Sequence, residues 1–208
     1  MERQPDPATY WDDAYARGED SRSWFQQQPA LSLQILAEAG VSAGDSLIDV
    51  GGGASPLAGA LLSQGFTDVT VLDVSATGMR YARGHLGGRA SQVRWLVADV
   101  LTWQPERRYQ AWHDRAVFHF LTTAQARQKY LATLQAATTA GAAAVFGCFA
   151  PDGPQYCSGL PVSRYDPDDL HRELGPQWTL VAQAREEHMT PDAVIQPFTW
   201  AAFRRQVT

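Results

Sequence analysis

Asp49-Val50-Gly51-Gly52-Gly53 closes the apolar run Leu47-Ile48 and opens onto Ala54-Ser55-Pro56-Leu57. The pattern predicts a buried strand that ends in a glycine loop, with Pro56 near the first helical position of a following helix. Glycines in such a loop let backbone amides approach a ligand closely, because no Cβ stands between them. Asp73 ends the next apolar run, Val69–Asp73, 22 positions after Gly51. A glycine loop followed by an acid at the next strand end points to a nucleotide-like cofactor.

Outward from this unit, strand and helix patterns alternate. Val93–Val97 reads as a third strand ending at Ala98-Asp99, Tyr109–His113 as a fourth, and Ala142–Phe149 as a fifth. Ser75 is a candidate N-cap for a helix through Arg83, and Thr122 or Thr123 for a long helix whose Tyr130, Leu131 and Leu134 share a face. Asp166-Pro167-Asp168-Asp169 opens another helix, which Gly175 ends. Two last strands, Trp178–Ala184 and Phe198–Phe203, flank a loop holding His188 and Pro191. Such alternation implies a mainly parallel sheet covered by helices on both faces. Ligands then bind outside the carboxyl ends of the strands, where strand order reverses. Asp49, Asp73, Asp99 and Asp114 all fall at that edge.

The first 40 residues differ, with Tyr10, Trp11, Tyr15, Trp24 and Phe25 crowding a stretch rich in Asp, Arg and Gln. They read as an N-terminal helical cap (1–40) on a core spanning 41–208, the whole forming one domain. A chain of 208 residues with 45% hydrophobic and 19% charged content is expected to be globular. Its formal net charge of -5, with arginines scattered, argues against nucleic acid as a partner. The polar start Met1-Glu-Arg-Gln-Pro-Asp-Pro lacks a signal-peptide core, and no apolar run approaches bilayer length, so a cytoplasmic protein away from membranes is the expectation. Cys148, in an apolar run, reads as buried, and Cys157, in a loop, as the more exposed and reactive thiol. No spacing of His, Cys, Asp or Glu resembles a metal site.

Together these residues resemble the class I S-adenosylmethionine-dependent methyltransferases, over roughly Tyr10 to Arg205. The resemblance implies a Rossmann-like fold with a seven-stranded, mainly parallel sheet and an antiparallel C-terminal strand. It also implies S-adenosylmethionine as cofactor. In that family the first strand ends in Asp-x-Gly-x-Gly, matched by Asp49, Gly51 and Gly53, and the loop passes beneath the methionine moiety. The acid ending strand two, matched by Asp73 with Val74 beside it, bonds the ribose. The acid after strand three, matched by Asp99 with Val100, lies against the adenine. The close of strand four, His113-Asp114, faces the transferred methyl. Gly53-Ala-Ser-Pro-Leu57 and the N-terminal aromatics look like a methyltransferase-like branch that includes protein lysine methyltransferases. That branch usually carries Asp-Lys-Gly-Thr after strand four, where this chain has Asp114-Arg115-Ala116-Val117. The later segments, Ser158–Arg164 and Glu187–Pro191, look more like compact bacterial enzymes of unassigned acceptor.

A dinucleotide is the competing cofactor, and two residues weigh against it. Pro56 stands where that fingerprint needs a small residue at its third position, and it has no amide proton for a phosphate. Asp49 would place a carboxylate near a pyrophosphate, whereas the ammonium of S-adenosylmethionine would welcome it. Asp114 is the first candidate catalytic residue, with pairing to Arg115 as its alternative. His119 is the second, although a histidine among Val117, Phe118, Phe120 and Leu121 is more often a satisfied buried ring. Trp24 is expected to close over the cofactor or line the acceptor site; Tyr156 and Cys157 are further candidates there. The expected activity is in-line methyl transfer to a small molecule, with a protein lysine, or a binding module without turnover, as alternatives.

Overall fold

The computed structural model describes residues 6–16 and 23–207; residues 1–5, the start of the expected polar N-terminus, and 17–22 of the expected cap lie outside them. Two helices lead, α1 (Pro7–Ala16) and α2 (Ala30–Glu38). Then follow β1 (Leu47–Val50), α3 (Leu57–Ser63), β2 (Val69–Asp73), α4 (Ala76–Leu86), β3 (Val93–Val97) and β4 (Tyr109–Arg115). After α5 (Ala124–Ala137) and β5 (Thr138–Phe149) comes a small hairpin of β6 (Tyr156–Cys157) and β7 (Leu160–Pro161). The chain closes with α6 (Pro167–Leu174), β8 (Trp178–Met189) and β9 (Ile195–Arg205).

Seven strands form one sheet in the order β3-β2-β1-β4-β5-β9-β8. The pairs from β3 to β5 are parallel, and β9 runs antiparallel to both β5 and β8. The chain moves outward from β1 to β3, then returns to lay β4 against the free side of β1. That reversal between β1 and β4 opens a crevice at the carboxyl edge, and the glycine loop sits there.

Side-chain caps begin three helices where the sequence predicts. Ser75 Oγ accepts from Gly78 N–H (2.9 Å) at α4, and Thr123 Oγ1 accepts from Ala126 N–H (3.2 Å) at α5. Asp166 and Asp169 form a reciprocal capping box on α6. Pro56 precedes α3 as its N-cap rather than serving as its first residue.

Strand parity sorts the interior into two layers. Leu47, Val69, Val71, Ala111, Val145 and Trp200 pack with α2 and α3 on one face; Ile48, Val50, Trp112, Phe146 and Phe203 pack with Tyr130 and Leu134 of α5 on the other. The strands run longer than their apolar residues indicate. β4 extends through Asp114 to Arg115, because both remain in register with β5, opposite Phe146 and Gly147. β8 continues through Arg185-Glu-Glu to Met189, so His188 is a buried strand residue and not a loop residue. It is the edge strand, and alternating exposed positions along it accommodate those charges.

Candidate functional site

A cleft of about 330 Å³ occupies the carboxyl edge at the β1/β4 reversal. Its floor is Val50 and Gly51; Leu72, Asp73 and Val74 come from the end of β2, and Ala98, Asp99, Val100 and Leu101 from beyond β3. Tyr10, Trp11 and Tyr15 of α1, with Trp24, cover it from the N-terminal side. Arg115, Phe120, Cys157, Leu160 and Pro161 build the opposite end. The cap is tied down at both ends. Tyr10 Oη donates to Ser158 O on the β6–β7 hairpin. Asp12 accepts from Ser75 Oγ (2.6 Å) and Thr77 N–H (2.8 Å) at the start of α4. Those two hydrogen bonds hold the Asp12 carboxyl below its usual pKa.

The glycine loop makes room for protein side chains as well as for a ligand. Gly51 has φ +69° and Gly53 φ +38°, conformations that disfavour a Cβ. A Cβ on Gly51 would meet Val117 Cγ2 at 2.0 Å, and one on Gly53 would meet Tyr15 Oη at 2.1 Å. Tyr15 thereby wedges between the loop and α4, where Gly78 leaves it space. Val117 and Tyr15 were not distinguished from the other residues of their segments by any sequence signal except the aromatic crowding around Tyr15.

Asp73 is buried in the cleft wall, and Ser75 N–H donates to its Oδ1 (2.7 Å). Burial raises its pKa to about 7, against the lowering effect of the Ser75 and Gly53 amides. Asp99 Oδ1 accepts from Leu101 N–H (2.8 Å), which turns the chain so that Val100 and Leu101 face the cleft. Val74, Ala98, Val100 and Leu101 form an aliphatic slot suited to a flat purine. Asp49 lies just beneath the loop, 2% exposed, with Oδ1 hydrogen-bonded to His113 Nδ1 (2.7 Å). His113 Nε2 meets Ser32 Oγ of α2 (3.1 Å), and Asp49 Oδ2 has no partner among the described residues. Trp24 lines the cleft, edge-on to Trp11 and Tyr15.

Both catalytic candidates fall outside the cleft. Asp114 is fully buried on the α5 side of the sheet, where it accepts from Val117 N–H (2.9 Å), Phe118 N–H (3.1 Å) and Tyr130 Oη (2.5 Å). Burial lifts its pKa to about 6. Because it is a strand residue, parity sends it to the face opposite Arg115, so the two do not pair. His119 is also fully buried, between Phe120 and Phe149, with Phe149 N–H donating to Nδ1 (3.4 Å). Desolvation lowers its pKa to about 3, which keeps it neutral. Neither residue lines the cleft, where the sequence places them; both are packed in the interior.

Cys157 lines the cleft, but it is 4% exposed and burial raises its thiol pKa, so the exposed, reactive thiol is not found there. Tyr156 points to solvent, 64% exposed. His188 is held by Ser23 O (2.7 Å). The charged cleft residue that sequence reasoning passed over is Arg115. Parity with His113 on a longer β4 would have placed it on the Asp49 face.

The methyltransferase domain family matches residues 47–141, the span from β1 into β5. The match takes in the glycine loop and the strands β1 to β4 that meet at the cleft. Over that span the chain matches a methyltransferase domain. Solved structures repeat the fold across nearly the whole chain. The Burkholderia thailandensis 1,6-didemethyltoxoflavin-N1-methyltransferase, bound to its substrate and S-adenosylhomocysteine, is 19% identical with a TM-score of 0.73, covering 100% of this chain and 93% of that one. The N-methyltransferase NodS of Bradyrhizobium japonicum, with S-adenosylhomocysteine, is 17% identical at TM-score 0.71, over 95% and 98% of the two chains. The CcbJ methyltransferase of Streptomyces caelestis is 15% identical at TM-score 0.71, over 97% and 100%. Among curated proteins, none matches the sequence. No described helix is long and apolar enough to cross a membrane.

Proposed function

We propose that this protein transfers the methyl group of S-adenosylmethionine to a small-molecule acceptor. One observation carries the reading: a single roofed cleft joins Asp73 and the aliphatic slot at one end to Trp11, Trp24, Arg115 and Phe120 at the other. The residues present fit the cofactor. Asp73 is a buried acceptor for the ribose hydroxyls, the slot at Val74 and Val100 takes the adenine, and the unpartnered Asp49 Oδ2 provides a negative charge near the methionine ammonium. When bound, S-adenosylmethionine supplies a methyl already activated by its sulfonium.

The chain's own residues then position and dry the site. The aromatic faces of Trp11 and Trp24 exclude water and favour a cationic centre. The described residues at the acceptor end are Tyr10, Trp11, Trp24, Arg115, Phe120, Cys157, Leu160 and Pro161; none is a carboxylate or a histidine. The acceptor atom consequently arrives with its lone pair free, and orientation supplies the rate enhancement. The roof formed by α1 and the β6–β7 hairpin favours a small acceptor over a lysine on a folded protein. The 1,6-didemethyltoxoflavin bound by the Burkholderia thailandensis enzyme points the same way.

The test incubates the protein with methyl-labelled S-adenosylmethionine and a lysate, then separates macromolecules from small molecules. Label in the small-molecule fraction is expected. Label confined to protein would refute the small acceptor. Binding of S-adenosylhomocysteine without label in either fraction would refute transfer.

A further inference from the structure

We infer that the acceptor is a small organic anion, and that the Nε/Nη2 edge of Arg115 receives its negative group. The inference rests on the methyltransferase reading of the cleft and names the class of molecule that enters it. Arg115 ends β4 and lines the cleft, and its guanidinium lies over the Phe198 ring of β9, 5.0 Å from the centroid. Nη1 is fixed by donating to Trp24 O (2.9 Å). Nε and Nη2 are buried and have no hydrogen-bond partner among the described residues. These two nitrogens share one edge of the guanidinium and together form the two-pronged donor that matches a carboxylate.

No described acceptor meets that edge. Glu186 of β8 acts on the guanidinium through its charge, but its Oε1 accepts from Gln26 Nε2 (2.8 Å) and its Oε2 from Trp200 Nε1 (2.8 Å). Asp49 and Cys157 are the other groups whose negative charge would act on the guanidinium; His119 and His188 are disfavoured as cations by it. Asp49 already holds His113, and the Cys157 thiol is pushed toward its neutral form by burial. Burial correspondingly lowers the pKa of Arg115 itself. Buried donors without acceptors are costly, and an arriving anion removes that cost. The position also sets that edge apart from the ribose and adenine ends of the cofactor. Arg115 pairs with Gly147 of β5 and stacks toward β9, whereas Asp73 and Asp99 come from β2 and β3, across β1 and β4. The aromatic wall of Trp11, Trp24 and Phe120 gives such an anion a flat apolar body to rest against.

Isothermal titration of benzoate and benzamide into the protein saturated with S-adenosylhomocysteine tests this. The pair shares shape and differs in charge, benzoate being ionised at about pH 7.5. Benzoate is expected to bind at least about tenfold more tightly than benzamide, as a charged two-pronged pair would make it. In Arg115→Met the preference disappears while affinity for S-adenosylhomocysteine is unchanged; Arg115→Gln serves if that variant does not fold. Equal binding of the two probes, no benzoate binding to the wild type, or a preference that survives the substitution overturns the proposal. A loss of S-adenosylhomocysteine affinity in the variant also overturns it, by moving Arg115 to the cofactor. Failure of the wild type to bind S-adenosylhomocysteine would instead remove the underlying methyltransferase reading.

Discussion

Asp73 shows how one residue's environment becomes a measurable property of the site. Its carboxyl is buried, so its pKa rises to about 7, and ribose hydroxyls would donate best to the ionised form. Below that pH the free protein holds a proton on Asp73 that cofactor binding must expel. Affinity for S-adenosylhomocysteine should therefore fall as pH drops through 7, approaching a tenfold loss per pH unit, and calorimetry from about pH 6 to 8 measures it. Asp73→Asn should flatten that dependence and weaken binding by about 1–3 kcal/mol. A pH-independent affinity in the wild type would remove Asp73 from the ribose. The sign for stability of the free protein is opposite. The native carboxyl binds its proton more tightly than the unfolded one, so this contribution is present at acid pH and lost as pH rises through about 7. His119 works the other way: lowered to about 3, it favours the fold above the usual histidine range and loses that contribution as pH falls toward 3.

At the scale of elements, the junction of β4 with α5 is the most informative. Trp112 Nε1 donates to Tyr130 Oη (2.9 Å), and Tyr130 Oη donates in turn to Asp114 Oδ2. This chain of buried polar groups pins the end of β4 to the helix behind it. Tyr130→Phe strands the indole N–H and removes one donor from Asp114, so urea denaturation should show a loss of about 1–3 kcal/mol. S-adenosylhomocysteine affinity should stay within about twofold of wild type, a change of under 1 kcal/mol. A large fall in affinity with intact stability would return Asp114 to the site. The helix starts were legible because caps are local: Ser75, Thr123 and Asp166 each satisfy amides three residues away. The ends of β4 and β8 were not. Asp114-Arg115 and Arg185-Glu-Glu look like loops by composition, and only pairing to a neighbouring strand keeps them extended.

For the whole molecule, the cofactor and the cap form one thermodynamic system. α1 reaches the glycine loop through Tyr15, α4 through Asp12 and the β6–β7 hairpin through Tyr10, so a ligand in the cleft stabilises several distant segments at once. S-adenosylhomocysteine at one hundred times its Kd should add about 2.7 kcal/mol. For a domain of this size that is a Tm rise of roughly 5–10 °C by thermal melt. NADH at the same concentration should produce no shift, and a shift with NADH alone would revive the dinucleotide reading.

The order of strands and helices, the glycine loop and the acids at 49, 73 and 99 all follow from local pattern. Apolar period, caps and turn glycines act over a few residues, and the sequence displays them directly. Which neighbour each strand end meets depends on contacts between residues 30 to 160 positions apart, such as Ser32 with His113 and Trp24 with Arg115. Those contacts sent Asp114 and His119 into the packing and brought Arg115 to the cleft. Parity then did the rest: adjacent residues on one strand face opposite sides of the sheet, so extending β4 by two residues exchanged a carboxylate for a guanidinium at the acceptor end.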